Sequence, residues 1–231
     1  MLGDGGLTVS LHHLNMEDLI RQVGVPRSSA FAAFGGKEEL LTELMVELLR
    51  DEDGSAGVFE GTQLMAEQTI AAHAHRMYRS DGSRDPDGLH AVLREAVRVC
   101  LHQNVEDTAS SEHWQMCLAL AATLPSLPEG RRERVAEALR AFDLRFQRTM
   151  TEFYSTAFAP FGLRPKPGVE WRHIATAGGA IVEGVVTRRR MGSPARDEVI
   201  IAPGIDGEPV EWTIAALAYL AMIEGLTEPV D

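Results

Sequence analysis

Apolar residues first recur with helical spacing at Met16, Leu19, Ile20 and Val23, which fall at i, i+3, i+4 and i+7 and share one helix face. Asn15 stands where it can cap the start of that helix, and Gly24 where it can end it in a left-handed turn. Pro26 can open a second helix, in which Ala30, Phe31 and Phe34 face inward and Arg27, Ser28, Ser29 and Ala32 are left outside. Gly35 and Gly36 stop it. From Lys37, the residues Leu40, Leu41, Leu44, Met45, Leu48 and Leu49 form a third stripe. The polar run RDEDGSAG that follows reads as a domain edge or a hinge.

Beyond that run the pattern predicts helices at about 62–79, 87–106, 110–124, 128–158, 169–191 and 210–225, separated by Gly, Pro and Ser clusters such as SDGSRDPDG and FGLRPKPGV. One stretch departs from helical spacing. EVIIAPGIDGEPVEW carries β-branched residues on both sides of PGIDG, which suits a short hairpin or an ordered loop.

Composition narrows the class. With 45% hydrophobic and 24% charged residues the chain has the balance of a soluble globular protein, and only 6% aromatics beside abundant Ala and Leu favour helices. Its 231 residues suffice for one generous core or for a small domain with a larger one. The longest apolar stretch, Ile214 to Ile223, falls well short of the ~20 residues of a membrane span. Met1 is followed by LGDGG, without the basic start and apolar core of a secretory signal, so a cytoplasmic location is expected. Cys100 and Cys117 are too few for a disulfide scaffold and fit two buried thiols. A net charge of −12 argues against a broad surface that coats nucleic acid, yet leaves room for a local reading element.

Such an element is what the first stripes describe. Two short helices joined by a tight Gly-containing turn make a helix-turn-helix, in which the second helix can lie in the major groove while the first braces it. The run MEDLIRQVGVPRSSAFAAFGGKEELLTELM resembles the tetracycline-repressor (TetR) family of bacterial regulators, over about residues 7–49. That family's pattern is an apolar helix, a Gly-Val turn, a short aromatic-bearing helix and a Lys-Glu-x-Leu helix. The resemblance implies base and phosphate contacts from Arg27, Ser28 and Ser29, with Ala32 on the same exposed face, and a phosphate contact from Lys37, where an ammonium stands beside helix N–H groups. Phe31 takes the place of a Tyr whose hydroxyl meets a phosphate in many members, and Pro26 that of a Ser or Thr cap. Only Met1 to Asp4 precede the turn Gly5-Gly6-Leu7, so the family's first helix is expected to be truncated here. Residues 1–50 hold four basic residues (Arg21, Arg27, Lys37, Arg50) against seven acidic (Asp4, Glu17, Asp18, Glu38, Glu39, Glu43, Glu47), a net of −3. That sum suits DNA only if the acids lie on faces turned away from it.

Other candidates for chemistry are sparse. His73 and His75 lie about 200° apart around a helix and cannot chelate one ion by themselves. His113 and Cys117, four apart, share a face that a metal or a polar ligand could use, but no further ligands accompany them and no metal is expected. Trp114, Leu118 and Ala121 form a stripe that is core or pocket lining. Arg188, Arg189 and Arg190 fit the C-terminal end of a helix, where cations meet the dipole favourably. No nucleophile motif, P-loop or dinucleotide fingerprint occurs, so neither catalysis nor a cofactor is expected. Leu139, Phe142, Phe146, Met150 and Phe153 make a narrow seam on the helix at 128–158. Ala175, Gly178, Gly179 and Val182 offer a small-residue strip on the helix at 169–191. These two segments can pack within the chain. By the family resemblance they would instead form a four-helix dimer interface through Phe142, Met150, Ala175, Gly178, Gly179 and Val182.

The expectation is therefore an all-α chain: a helix-turn-helix DNA-binding domain at 1–48 and a helical-bundle ligand-binding and dimerisation domain at 49–231. A homodimer would bind a palindromic double-stranded DNA operator, expectedly as a repressor, and a small, mainly apolar effector lined by His113, Trp114, Cys117, Phe146 and Trp171 would release it. The alternative is a helical module that binds or sequesters a small molecule without reading DNA.

Overall fold

The structure, a computed structural model, describes residues 28–29, 37–50, 53–193 and 199–230. Among these the chain is mostly helical, with seven α-helices and two short two-stranded sheets. The reader helices expected at 15–24 and 26–34 lie outside the described residues, except that Ser28 and Ser29 are helical and exposed. No helix among the described residues is long and apolar enough to cross a membrane.

The chain divides into two compact units. The first combines α1 (Lys37–Arg50), α4 (Glu112–Thr123) and the part of α5 (Glu129–Ala157) up to Leu144. The second holds α2 (Asp53–His73), α3 (Pro86–Ser110), the rest of α5, α6 (Trp171–Arg190) and α7 (Ile214–Leu226), together with the strands. Residues 112–144 thus group with α1 and not with the rest of the segment expected as one domain at 49–231.

In the first unit α1 begins at Lys37, where the stripe predicts it. Thr42, Met45, Val46 and Leu49 are buried, whereas Leu48 at the stripe's edge is exposed. Val135 and Phe142 of α5, with Trp114, Cys117 and Leu120 of α4, supply the other buried side chains.

In the second unit α3 is central, packing against α2, α6 and α7. Its buried positions, Val92, Leu93, Ala96, Val97, Cys100, Leu101, Asn104, Val105 and Thr108, form the broad stripe that a helix covered on several sides requires. α2 reaches back to Asp53, so residues 53–57 of the run read as a break are helical. Glycine weakens a helix by only about 1 kcal/mol relative to Ala, which does not stop one whose later turns pack well. Helix α6 starts with a capping box, in which the Glu170 N–H donates to Nδ1 of His173 at 3.1 Å. α7 starts at the Thr213 hydroxyl, which accepts from the Ala216 N–H at 3.1 Å.

EVIIAPGIDGEPVEW contains a hairpin. β2 (Ile200–Pro203) pairs antiparallel with β3 (Pro209–Trp212), Ile200 opposite Trp212. The Gly204 N–H donates to the Glu208 carbonyl at 2.8 Å, and Gly207 takes φ +81°, a left-handed value that favours glycine. A second pair joins β1 (Leu163–Pro165) to β4 (Thr227–Pro229), Leu163 opposite Pro229.

Candidate functional site

The charge on α1 is arranged by its neighbours. Glu38, Glu39 and Glu43 lie at i, i+1 and i+5 in the first turns of the helix. Arg131 of α5 reaches Glu38 at 2.9 Å, and Arg134, one turn on, pairs with both Glu39 and Glu43. Three of the acids in the net −3 of the first fifty residues are thereby answered by guanidinium groups from outside that segment. A sum taken over residues 1–50 could not include them. Of the residues expected to meet DNA, Arg27 and Ala32 lie outside the described residues, Ser28 and Ser29 are exposed, and Lys37 is the first residue of α1.

The residues expected to line an effector pocket fall into two groups. In the first unit His113 and Trp114 of α4 flank Phe142 of α5, with ring centroids 5.7 and 5.6 Å away, and Cys117 is buried one turn further along. In the second unit Trp171 stacks on Phe158 at 5.3 Å and 9°, and Phe146 tilts against Phe59 at 5.3 Å. His113, Trp114 and Cys117 are thus together, and Phe146 and Trp171 belong to the other unit.

The positions expected at a dimer interface are occupied within the chain. Phe142 packs against the two α4 rings. Met150, Ala175 and Val182 belong to the buried core of the second unit. Gly178 faces Tyr219 and Tyr154, and Gly179 faces Phe146. Of Arg188, Arg189 and Arg190, which do close a helix, Arg189 pairs with Glu106.

That second core also holds a buried polar group that sequence reading missed. The Tyr154 and Tyr219 phenols share a hydrogen bond, with ring centroids 6.2 Å apart. Burial pushes Tyr154 up to about 12, despite the hydrogen bond from Tyr219, and pushes Tyr219 well above the ordinary phenol value. Burial likewise raises Cys100 to about 12, with its thiol 3.6 Å from the Thr62 carbonyl. Asn104 donates to the Thr62 hydroxyl at 3.0 Å. These groups are held neutral, which suits packing and hydrogen bonding and not proton transfer near neutral pH.

A cleft of about 310 Å³ was also missed. It is lined by His90, Ala91, Arg94 and Glu95 of α3 and by Pro203, Gly204, Ile205 and Trp212 of the hairpin. Its sequence signal is weak: His90, Arg94 and Arg98 repeat every four residues along one side of α3. What completes the cleft is a hairpin more than a hundred positions away.

No protein-family model matches the sequence, and no curated protein does. A solved structure described as a protein with unknown function from Rhodococcus sp. RHA1 aligns with a TM-score of 0.46 at 19% identity, over 95% of this chain and 88% of that one.

Proposed function

We propose that the chain is a ligand-responsive transcription regulator of the TetR type, acting in the cytoplasm as a homodimer on a palindromic operator, as a repressor. A small effector would release it by preferring a conformation in which the two readers no longer match the half-sites. The observation that carries this reading is the run from Met16 to Met45, whose Gly turn, short aromatic-bearing helix and Lys-Glu-x-Leu start are a specific order of signals. Two further observations support it. α1 begins at Lys37, where that order requires its helix to begin, and the acids of its first turns are answered by Arg131 and Arg134. Neutralised carboxylates lower the electrostatic cost of approaching a phosphate backbone.

The second reading, a helical module that binds a small molecule without DNA, is favoured by the overall charge of −12. One experiment separates the two. Selection of bound duplexes from a random pool should enrich a palindrome, and a probe carrying it should be shifted in a salt-sensitive way. A pool in which no sequence is enriched, from protein that is folded and pure, leaves the small-molecule module as the better account.

A further inference from the structure

The cleft beside the hairpin has the makings of a binding site that the regulator reading does not use. Its floor is Trp212, 1% exposed at the end of β3. Half-buried Arg94 lies over this indole, its guanidinium carbon 5.1 Å from the ring centroid, an arrangement that holds the planar fork in a defined orientation.

The other polar groups at the rim already have hydrogen-bond partners. Glu95 receives two hydrogen bonds from Arg98, at 2.9 and 2.5 Å, and His90 bonds Glu224 through Nε2 at 2.8 Å. Arg94 forms no ion pair among the described residues. Arg94 is therefore the lining guanidinium left without a carboxylate partner, and around it Ala91, Pro203 and Ile205 present apolar surface above the buried Trp212.

We propose that this cleft binds a small monocarboxylate, the carboxylate on the Arg94 fork and a compact hydrocarbon body against Ala91, Pro203 and Ile205. A guanidinium already fixed in plane loses little freedom on forming two parallel hydrogen bonds to a carboxylate. One free cation balances a monoanion, whereas a second negative charge would find no further unpaired cation in the lining. A volume of about 310 Å³ lies at the small end of ligand sites and has room for a body of one ring or a short branched chain. The hairpin side is tied in place because Arg76 bonds both the Ile205 carbonyl, at 3.2 Å, and the Asp206 carboxylate. The inference is independent of DNA binding, and a failure of either leaves the other standing.

The test is calorimetric titration of the full chain at neutral pH with benzoate and with isovalerate, with benzyl alcohol and phthalate as the neutral and dianionic controls. Saturable binding of at least one monocarboxylate is expected, weakened about tenfold or more when the charge is absent from the ligand or removed from the protein by Arg94→Gln. Arg94→Lys keeps the charge without the fork and should fall between the two. It also serves as the second variant if Arg94→Gln melts early. No saturable binding of either acid at millimolar concentration would overturn the proposal. So would benzyl alcohol or phthalate binding as well as benzoate, or equal affinity in the folded Arg94 variants and the native chain.

Discussion

A side chain at Gly178 would collide with Tyr219: a Cβ built there lies 2.9 Å from the Tyr219 ring and 3.0 Å from the Tyr154 hydroxyl. Glycine at this point lets α6 pass close to the phenol pair. Gly184 of the same helix has nothing within 4 Å of its Cβ position. The same substitution should therefore act with opposite sign at the two sites. Gly184→Ala should raise stability by about 0.5–1 kcal/mol through helix propensity alone. Gly178→Ala should lower it by about 1–3 kcal/mol, because two buried rings must shift. Urea denaturation of the two variants decides it, and equal effects would mean that the rings yield freely.

The Arg134 pairing gives a second expectation. Both carboxylates and the guanidinium are around two-fifths exposed, so the network is worth only about 1 kcal/mol. Arg134→Ala should destabilise by that amount at low salt and by less at high salt. A double-mutant cycle with Glu43→Ala should return a coupling energy of a few tenths of a kcal/mol or more. Zero coupling would make the pair an incidental surface contact.

Alkaline pH should unfold the second unit as its two buried phenols, Tyr154 and Tyr219, ionise. The folded pKa of Tyr154 is raised from 10.0 to about 12, so its contribution is fully present below pH 10 and is lost as pH rises towards 12. Tyr219 shifts in the same direction, and Cys100, raised from 9.0 to about 12, begins the loss from pH 9. At about 1.4 kcal/mol per unit, the two-unit rise of Tyr154 alone accounts for roughly 3 kcal/mol. In a Tyr78→Phe variant, which removes the one exposed phenol, phenolate absorbance during a pH titration should therefore rise together with loss of helical circular dichroism. Phenolate from both buried tyrosines in a fully helical protein would contradict the burial.

If the proposed reader binds an operator, its contacts should divide by kind. Arg27→Ala and Ser29→Ala should weaken binding by about 1–3 kcal/mol on some sequences and less on others, while Lys37→Ala should weaken it evenly and reduce the salt slope by about one. Binding competitions across operator variants at several salt concentrations read both effects. Three variants that bind like the native chain would remove Arg27, Ser29 and Lys37 from the interface.

Periodicity along the chain was enough to determine that it is helical and where most helices run. The stripe from Lys37, the long helix that ends near Ala157 and the segment around Gly178 all occupy the expected stretches, because burying one face of a helix imposes a local spacing of apolar residues. Its limit is that spacing identifies a face that is covered and not what covers it. The strip at Ala175, Gly178 and Val182 is read equally well as a seam for another chain or for this one, and in the structure Tyr154 and Tyr219 lie against Gly178. The grouping of residues 112–144 with α1, the meeting of Arg134 with Glu39 and Glu43, and the placing of Trp212 under Arg94 join positions far apart in sequence. Such pairs leave no periodic trace, because burial at each partner can be satisfied by many neighbours of similar size and polarity. Only the packed tertiary structure selects one.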